Sequence, residues 1–350
     1  MSRLQEFKEL FQQMKQAWER NEQAALVMLI SANGSAYRLP GAKMMMTRAG
    51  QMFGTISGGC LESDLYGWAE QAMDRKTPHV QTYNLSEQDI WGLGIGCKGV
   101  LNILILPIEC EDEFWLKINE VLERNQAFSL VLEIPTGRRL IVQQDGKGLG
   151  DTASVPNEVV ERARSVMEKQ TRAEVFVYKG HPYWIDAVKP SESLIVAGAG
   201  RDSIPVVELA TKAGFEVTVL DPREELNNPR FFPSAAHYIV KHSTALSSNE
   251  MMDCWWVIMN HHQRHDEDAL QLALNSHPRF VGVLGPMSRT EEMLSNIGRN
   301  FSSGPIRSPL GLDLGAETME EVAVSIVSEL MAVRSGRNPM PLHGKAKIHE

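Results

Sequence analysis

From Leu194 to Asp221 the chain runs as a short apolar strand to Ala197, then the turn Gly198-Ala199-Gly200-Arg201-Asp202-Ser203. A helix to Ala213, a stop at Gly214 and a second strand, Glu216 to Leu220, follow and end on Asp221. Few folds accommodate that succession. Two glycines so placed give a tight turn and let a pyrophosphate approach the backbone, and an acidic residue closing the second strand suits a ribose hydroxyl. Gly198, Gly200 and Asp221 are therefore candidate contacts for NAD(P) or another nucleotide. Strands at Trp255–Met259 and Phe280–Leu284 alternate with helices at His265–Asn275 and Ser288–Gly298, and a long helix, Thr318–Arg334, closes the segment. The pattern predicts α/β architecture with a C-terminal Rossmann-like doubly wound parallel sheet over residues 189–350. Its boundary is Lys189-Pro190-Ser191-Glu192-Ser193, where Pro and Ser interrupt the periodicity.

The N-terminal part, residues 1–110, reads as a different α/β domain. Leu4, Phe7, Leu10, Phe11, Met14 and Trp18 form one helical stripe, Ala24–Ile30 is a buried strand, and Lys43–Thr47 with Gln51–Ile56 reads as a hairpin. Phe53 to Glu62 then reads Phe-Gly-Thr-Ile-Ser-Gly-Gly-Cys-Leu-Glu. Gly58 and Gly59 allow a tight turn, and Leu61, Leu65, Trp68, Ala69 and Met73 recur at helical spacing behind it. Cys60 is thereby placed at a helix N-terminus, where backbone N–H groups and the helix dipole favour a thiolate or hold an oxyanion or phosphate. A second such element is Gly92-Leu93-Gly94-Ile95-Gly96-Cys97-Lys98-Gly99, in which Lys98 adds a positive charge beside Cys97. Arg38 and Lys43, in the loop before the hairpin, are further cations expected to face the Gly-Gly-Cys turn. Residues 111–188 carry helices and strands but no concentrated chemistry, and read as structural or as an interface; His181 reads as a surface residue.

Cys60, Cys97, Cys110 and Cys254 are widely separated with no C-x-x-C pair, and the first residues lack a secretory pattern, so a reducing cytoplasm is the expected location. No apolar run reaches the roughly 20 residues that cross a bilayer, so no membrane association is expected. The net charge is −9 with dispersed Lys and Arg, which argues against nucleic acid as a partner.

Taken together, Gly34-Ser35-Ala36, Pro40-Gly41-Ala42-Lys43, Gly54-Thr55-Ile56 through Gly58-Gly59-Cys60-Leu61-Glu62, and Gly94-Ile95-Gly96-Cys97 resemble the XdhC/CoxI family. These are accessory proteins of molybdenum hydroxylases such as xanthine dehydrogenase. Gly198-Ala199-Gly200, Asp221-Pro222-Arg223, Gly282-Val283-Leu284-Gly285 and Pro309 to Thr318 look like that family's Rossmann half. Ser57, where the family usually has glycine, and Lys98, replacing a glycine, depart from its pattern. The resemblance implies a chaperone that binds molybdenum cofactor (molybdopterin), protects it during sulfuration and delivers it to a xanthine dehydrogenase-type apo-enzyme. It further implies a cysteine desulfurase as sulfur source and a homodimer. Gly58, Gly59, Cys60, Gly96, Cys97, Lys98, Arg38 and Lys43 would then contact the cofactor, with molybdenum near Cys60 or Cys97.

A second candidate function is an NAD(P)-dependent oxidoreductase. Its hydride-transfer residues would come from Asn260-His261-His262-Gln263-Arg264-His265-Asp266, which follows a core strand. The chain lacks the closely spaced cysteines of iron–sulfur clusters and is too short to be a complete molybdenum hydroxylase.

Overall fold

The computed structural model describes residues 3–34, 36–85, 99–109, 112–168 and 173–344. The chain forms two compact units, Arg3–Pro190 and Ser191–Pro341. In the first, the order is α1 (Arg3–Glu19), β1 (Ala24–Gly34), β2 (Lys43–Thr47), β3 (Met52–Gly54), α2 (Glu62–Arg75), β4 (His79–Asn84) and β5 (Gly99–Ile108). The same succession then recurs as α3 (Glu113–Glu123), β6 (Phe128–Glu133), β7 (Arg139–Gln143), β8 (Gly148–Gly150), α4 (Asn157–Glu168), β9 (Ala173–Tyr178) and β10 (His181–Val188).

Each half makes one five-stranded antiparallel sheet, and the strand orders correspond: β3-β2-β1-β5-β4 and β8-β7-β6-β10-β9. The first unit is thus an internal repeat. Its layers follow from the period-2 alternation of strands that are apolar on both faces. Leu26, Met28 and Ile30 of β1 and Phe128, Leu130 and Leu132 of β6 share one core with α1 and α3, which lie between the sheets. The opposite faces, Ala25, Val27 and Leu29 of β1 and Val131 of β6, pack on α2 and α4 respectively. The segment that looked chemically bare in sequence is the second copy of this scaffold.

Strand directions fix where the connections emerge. Because β1 is antiparallel to β2 and β5, β2 to β3, and β5 to β4, the connections 35–42, 55–61 and 85–98 all leave from one end of the first sheet. In the second repeat the equivalent connections are 134–138, 151–156 and Lys179 with Gly180. Short turns therefore suffice to close this sheet, and the longer connections of the first repeat are additions to it.

The second unit contains β11 (Glu192–Ala197), α5 (Ser203–Lys212), β12 (Phe215–Leu220), β13 (His237–Ile239), β14 (Trp255–Ile258), α6 (Gln263–Asn275), β15 (Phe280–Val283), α7 (Met287–Asn296), β16 (Ile306–Arg307) and α8 (Met319–Ser335). All its strand pairs are parallel, in the order β13-β12-β11-β14-β15-β16. This is a doubly wound sheet, as the sequence predicts, with its switch point between β11 and β14. Helices α5 and α8 cover one face and α6 and α7 the other. Thr318 and Glu321 form a capping box that starts α8. Among the described residues no helix is long and apolar enough to cross a membrane.

Candidate functional site

The Gly-Gly-Cys loop joins β3 to α2 at the end of the first sheet where the long connections emerge. Gly58 and Gly59 both have positive φ, 76° and 108°, and Cys60 is exposed one residue before the Leu61 N-cap. The sequence assigns this loop's amides to an external anion. The structure assigns them to Glu62. Its Oε1 accepts from Thr55 Oγ1 at 2.8 Å, Ile56 N at 3.2 Å and Ser57 N at 3.0 Å. Its Oε2 accepts from Gly59 N at 2.9 Å, Leu61 N at 3.1 Å and the Ser57 hydroxyl.

Burial alone would raise the Glu62 pKa, but the bonds from Ser57, Thr55 and Ile56 outweigh it and hold the group down at about 2. The nest expected to cradle a phosphate is filled by the chain's own carboxylate. Ser57, a departure from the family pattern, is one of its principal donors. The available signal was an acidic residue in the first turn of a helix, near unsatisfied amides.

Arg38 does reach this loop. Its Nη1 donates to Thr55 O at 3.4 Å and its Nη2 pairs with Glu6 at 2.7 Å. Tyr37, beside it, lies over Gly58. Lys43 does not face the loop. It is 2% exposed, bonds Gly41 O at 3.2 Å and Asp186 of β10, and lies 5.3 Å from the Phe7 ring centroid and 5.6 Å from that of Trp184. Its role is to tie the two repeats together, because β2 is buried on both faces and the ammonium finds its counter-charge across the central layer. Gly96, Cys97 and Lys98 lie outside the described residues. Cys254 is buried, and burial pushes its thiol pKa up, which removes it as a reactive group.

In the second unit Gly198 takes φ 123°, and a Cβ there would stand 2.5 Å from Met259 O, so only glycine lets β11 turn against the end of β14. Asp221 is 1% exposed and already saturated. Its Oδ2 accepts from Ala199 N at 2.8 Å and Arg223 Nη2 at 2.6 Å, and its Oδ1 from Arg223 N and Nε, both at 2.9 Å. Burial opposes ionisation, but these bonds hold the carboxyl below the usual aspartate range. No lone pair is aimed outward for a ribose. We expect Asp221→Ala to lower stability by about 1.5–3 kcal/mol, the value of a buried charged hydrogen-bond set. Chemical denaturation checks this, and a change of only a few tenths would refute the structural role.

Asp202 adds a second obstacle to a dinucleotide. Its Oδ1 stands 2.4 Å from where a Cβ of Gly200 would be, and its Oδ2 pairs with His261 at 2.7 Å. A carboxylate thus occupies the approach to the second glycine, where a pyrophosphate would place its own negative charge. Asn260 is held by Asp266, which accepts from its amide at 2.9 Å and its side chain at 3.0 Å. The His265 ring packs on those of His242 and His262. Among the described residues no group of three or more His, Cys, Asp or Glu has metal-binding geometry.

Residues 17–84 match the family model described as XdhC and CoxI family, and residues 194–330 that described as XdhC Rossmann domain. The chain is 30% identical over 325 residues to a probable xanthine dehydrogenase subunit of Bacillus subtilis, covering 90% of this chain and 94% of that protein. It is 22% identical over 325 residues to the molybdenum cofactor insertion chaperone PaoD of Escherichia coli, covering 89% and 83%. A crystal structure described as a xanthine dehydrogenase from Bacillus halodurans superposes with a TM-score of 0.80 at 27% identity, covering 98% of this chain and 99% of that one.

Proposed function

Because the chain belongs to the XdhC and CoxI family, we propose that it is a molybdenum hydroxylase accessory protein whose cargo is the molybdenum cofactor. It holds that cargo while a terminal sulfur is installed and passes it to a xanthine dehydrogenase-type apo-enzyme. The kinship to the insertion chaperone PaoD supports the cargo. The observation that carries the assignment is Cys60, an exposed thiol on a loop that Glu62 fixes in place. A soft sulfur ligand suits molybdenum better than a hard oxygen would.

The loop's amides are committed to Glu62, so they do not receive the cofactor's phosphate; Arg38, a third exposed and bonded to Thr55 O of the loop, is the cation assigned to it. Cys97, outside the described residues, is the second thiol this proposal assigns to the cofactor, on the likeness of its Gly-Ile-Gly-Cys sequence to the family's pattern. A sulfur donor of the cysteine desulfurase class completes the cycle.

The test is anaerobic incubation with released molybdenum cofactor, ultrafiltration and metal analysis, followed by activation of a client apo-hydroxylase. Cys60→Ser exchanges a soft ligand for a hard one of similar size and should leave the fold intact while lowering retained molybdenum several-fold. Cys97→Ser should act on the same step. Full retention and activation by the double variant would end the cofactor-holding mechanism.

A further inference from the structure

Tyr37 is 62% exposed, yet one face of its ring is covered. A Cβ built on Gly58 would stand 3.2 Å from its Cζ and 3.3 Å from both Cε1 and Cε2. Near-equal distances to three ring atoms mean that the ring lies face-on over the Gly58 backbone rather than edge-on. The φ of 76° at Gly58 and the missing side chain together permit that approach. The neighbouring backbone is anchored too: the side chain of Arg38, the next residue, is tied to Glu6 at 2.7 Å and to Thr55 O at 3.4 Å. What results is an aromatic surface backed by the Gly-Gly-Cys loop at Gly58 and otherwise open, two residues along that loop from Cys60. The internal repeat supplies a control. Its equivalent connection, Ile134 to Arg138, has no aromatic residue, so the scaffold does not require one there.

We propose that the outer face of Tyr37 stacks on the planar, conjugated pyrimidinone ring of the cargo's pterin and so orients the metal-bearing end toward Cys60; this rests on the cofactor-holding function proposed above. A phenol ring already packed on one face has less freedom to lose on binding, and stacking between an aromatic side chain and a nitrogen heterocycle tolerates varied substituents on the heterocycle. Tyr37 is then a positioning residue for the cofactor, distinct from the thiol.

The test compares the intact protein with Tyr37→Phe, Tyr37→Trp and Tyr37→Leu. Two readouts are used: fluorescence titration with neopterin, a metal-free pterin, and anaerobic retention of released molybdenum cofactor. Thermal unfolding checks the fold. Phe and Trp should bind as the parent does, whereas Leu, similar in bulk but without a π face, should weaken both readouts by about 10-fold. Equal binding by the Leu variant, or a loss in Phe as large as in Leu, overturns the stacking role while parent retention leaves the chaperone assignment standing. Stacking is overturned in the same way if the parent retains cofactor but binds no neopterin, or if Leu loses client activation with both readouts unchanged. A parent that retains no cofactor brings down both proposals.

Discussion

Asp186→Ala is expected to destabilise the first unit by about 3–5 kcal/mol, the effect of stripping a buried ion pair of one partner. Asp186 is fully buried on β10 and bonds two cations, Arg3 at 2.7 Å and Lys43. Burial already pushes the Lys43 ammonium pKa down against the pull of Asp186. Without the carboxylate, that ammonium is left among Phe7 and Trp184. Arg3 would also lose the partner that complements its bond to Pro40 O at 2.8 Å, which holds the end of the β1–β2 connection. Urea denaturation of the single variant and of Lys43→Met/Asp186→Leu separates charge from packing. The double variant should recover most of the loss, since apolar replacement of a buried pair is often neutral. A single variant within about 1 kcal/mol of the parent would sink this account of how the repeats are joined.

Glu62 is expected to be the most sensitive residue of the site loop. Glu62→Ala leaves the amides of Ile56, Ser57 and Gly59 without their acceptor and that of Leu61 with the Ser57 hydroxyl alone, and should remove roughly 3 kcal/mol of stability and disorder the loop that carries Cys60. Acid acts on the same group. Its folded pKa of about 2 lies below the ordinary 4.5, so the folded state prefers the carboxylate. That stability is present in full above pH 4.5 and is lost as pH falls toward 2. Glu62→Gln keeps the shape but turns an N–H donor toward donors and cannot titrate, so its stability profile should be flatter across that window than the parent's. Parallel acid titrations of unfolding free energy check this; indistinguishable slopes would show that the carboxylate does not hold the loop.

The order of residues alone is enough to place the four central strands of the second unit and the turn that carries the exposed thiol. Parallel strands buried on both faces are short apolar runs, and glycines must stand where the chain turns close to its neighbours, so β11, β12, β14 and β15 were legible within a residue or two. The Gly-Gly-Cys turn announced itself in the same way. What the charged residues do emerges only from the folded chain, because a charge's role depends on partners far away in sequence. Lys43 and Arg38 look alike in sequence, yet Lys43 is buried against Asp186, 143 positions away, while Arg38 reaches the site. Asp221 carries the mark of a ribose ligand, but Arg223, two residues on, folds back onto it. Glu62 fills the anion nest of its own loop. The internal repeat was hidden for a related reason: strand order and direction are set by pairing across the sheet, and many apolar sequences meet the same burial requirement without resembling one another.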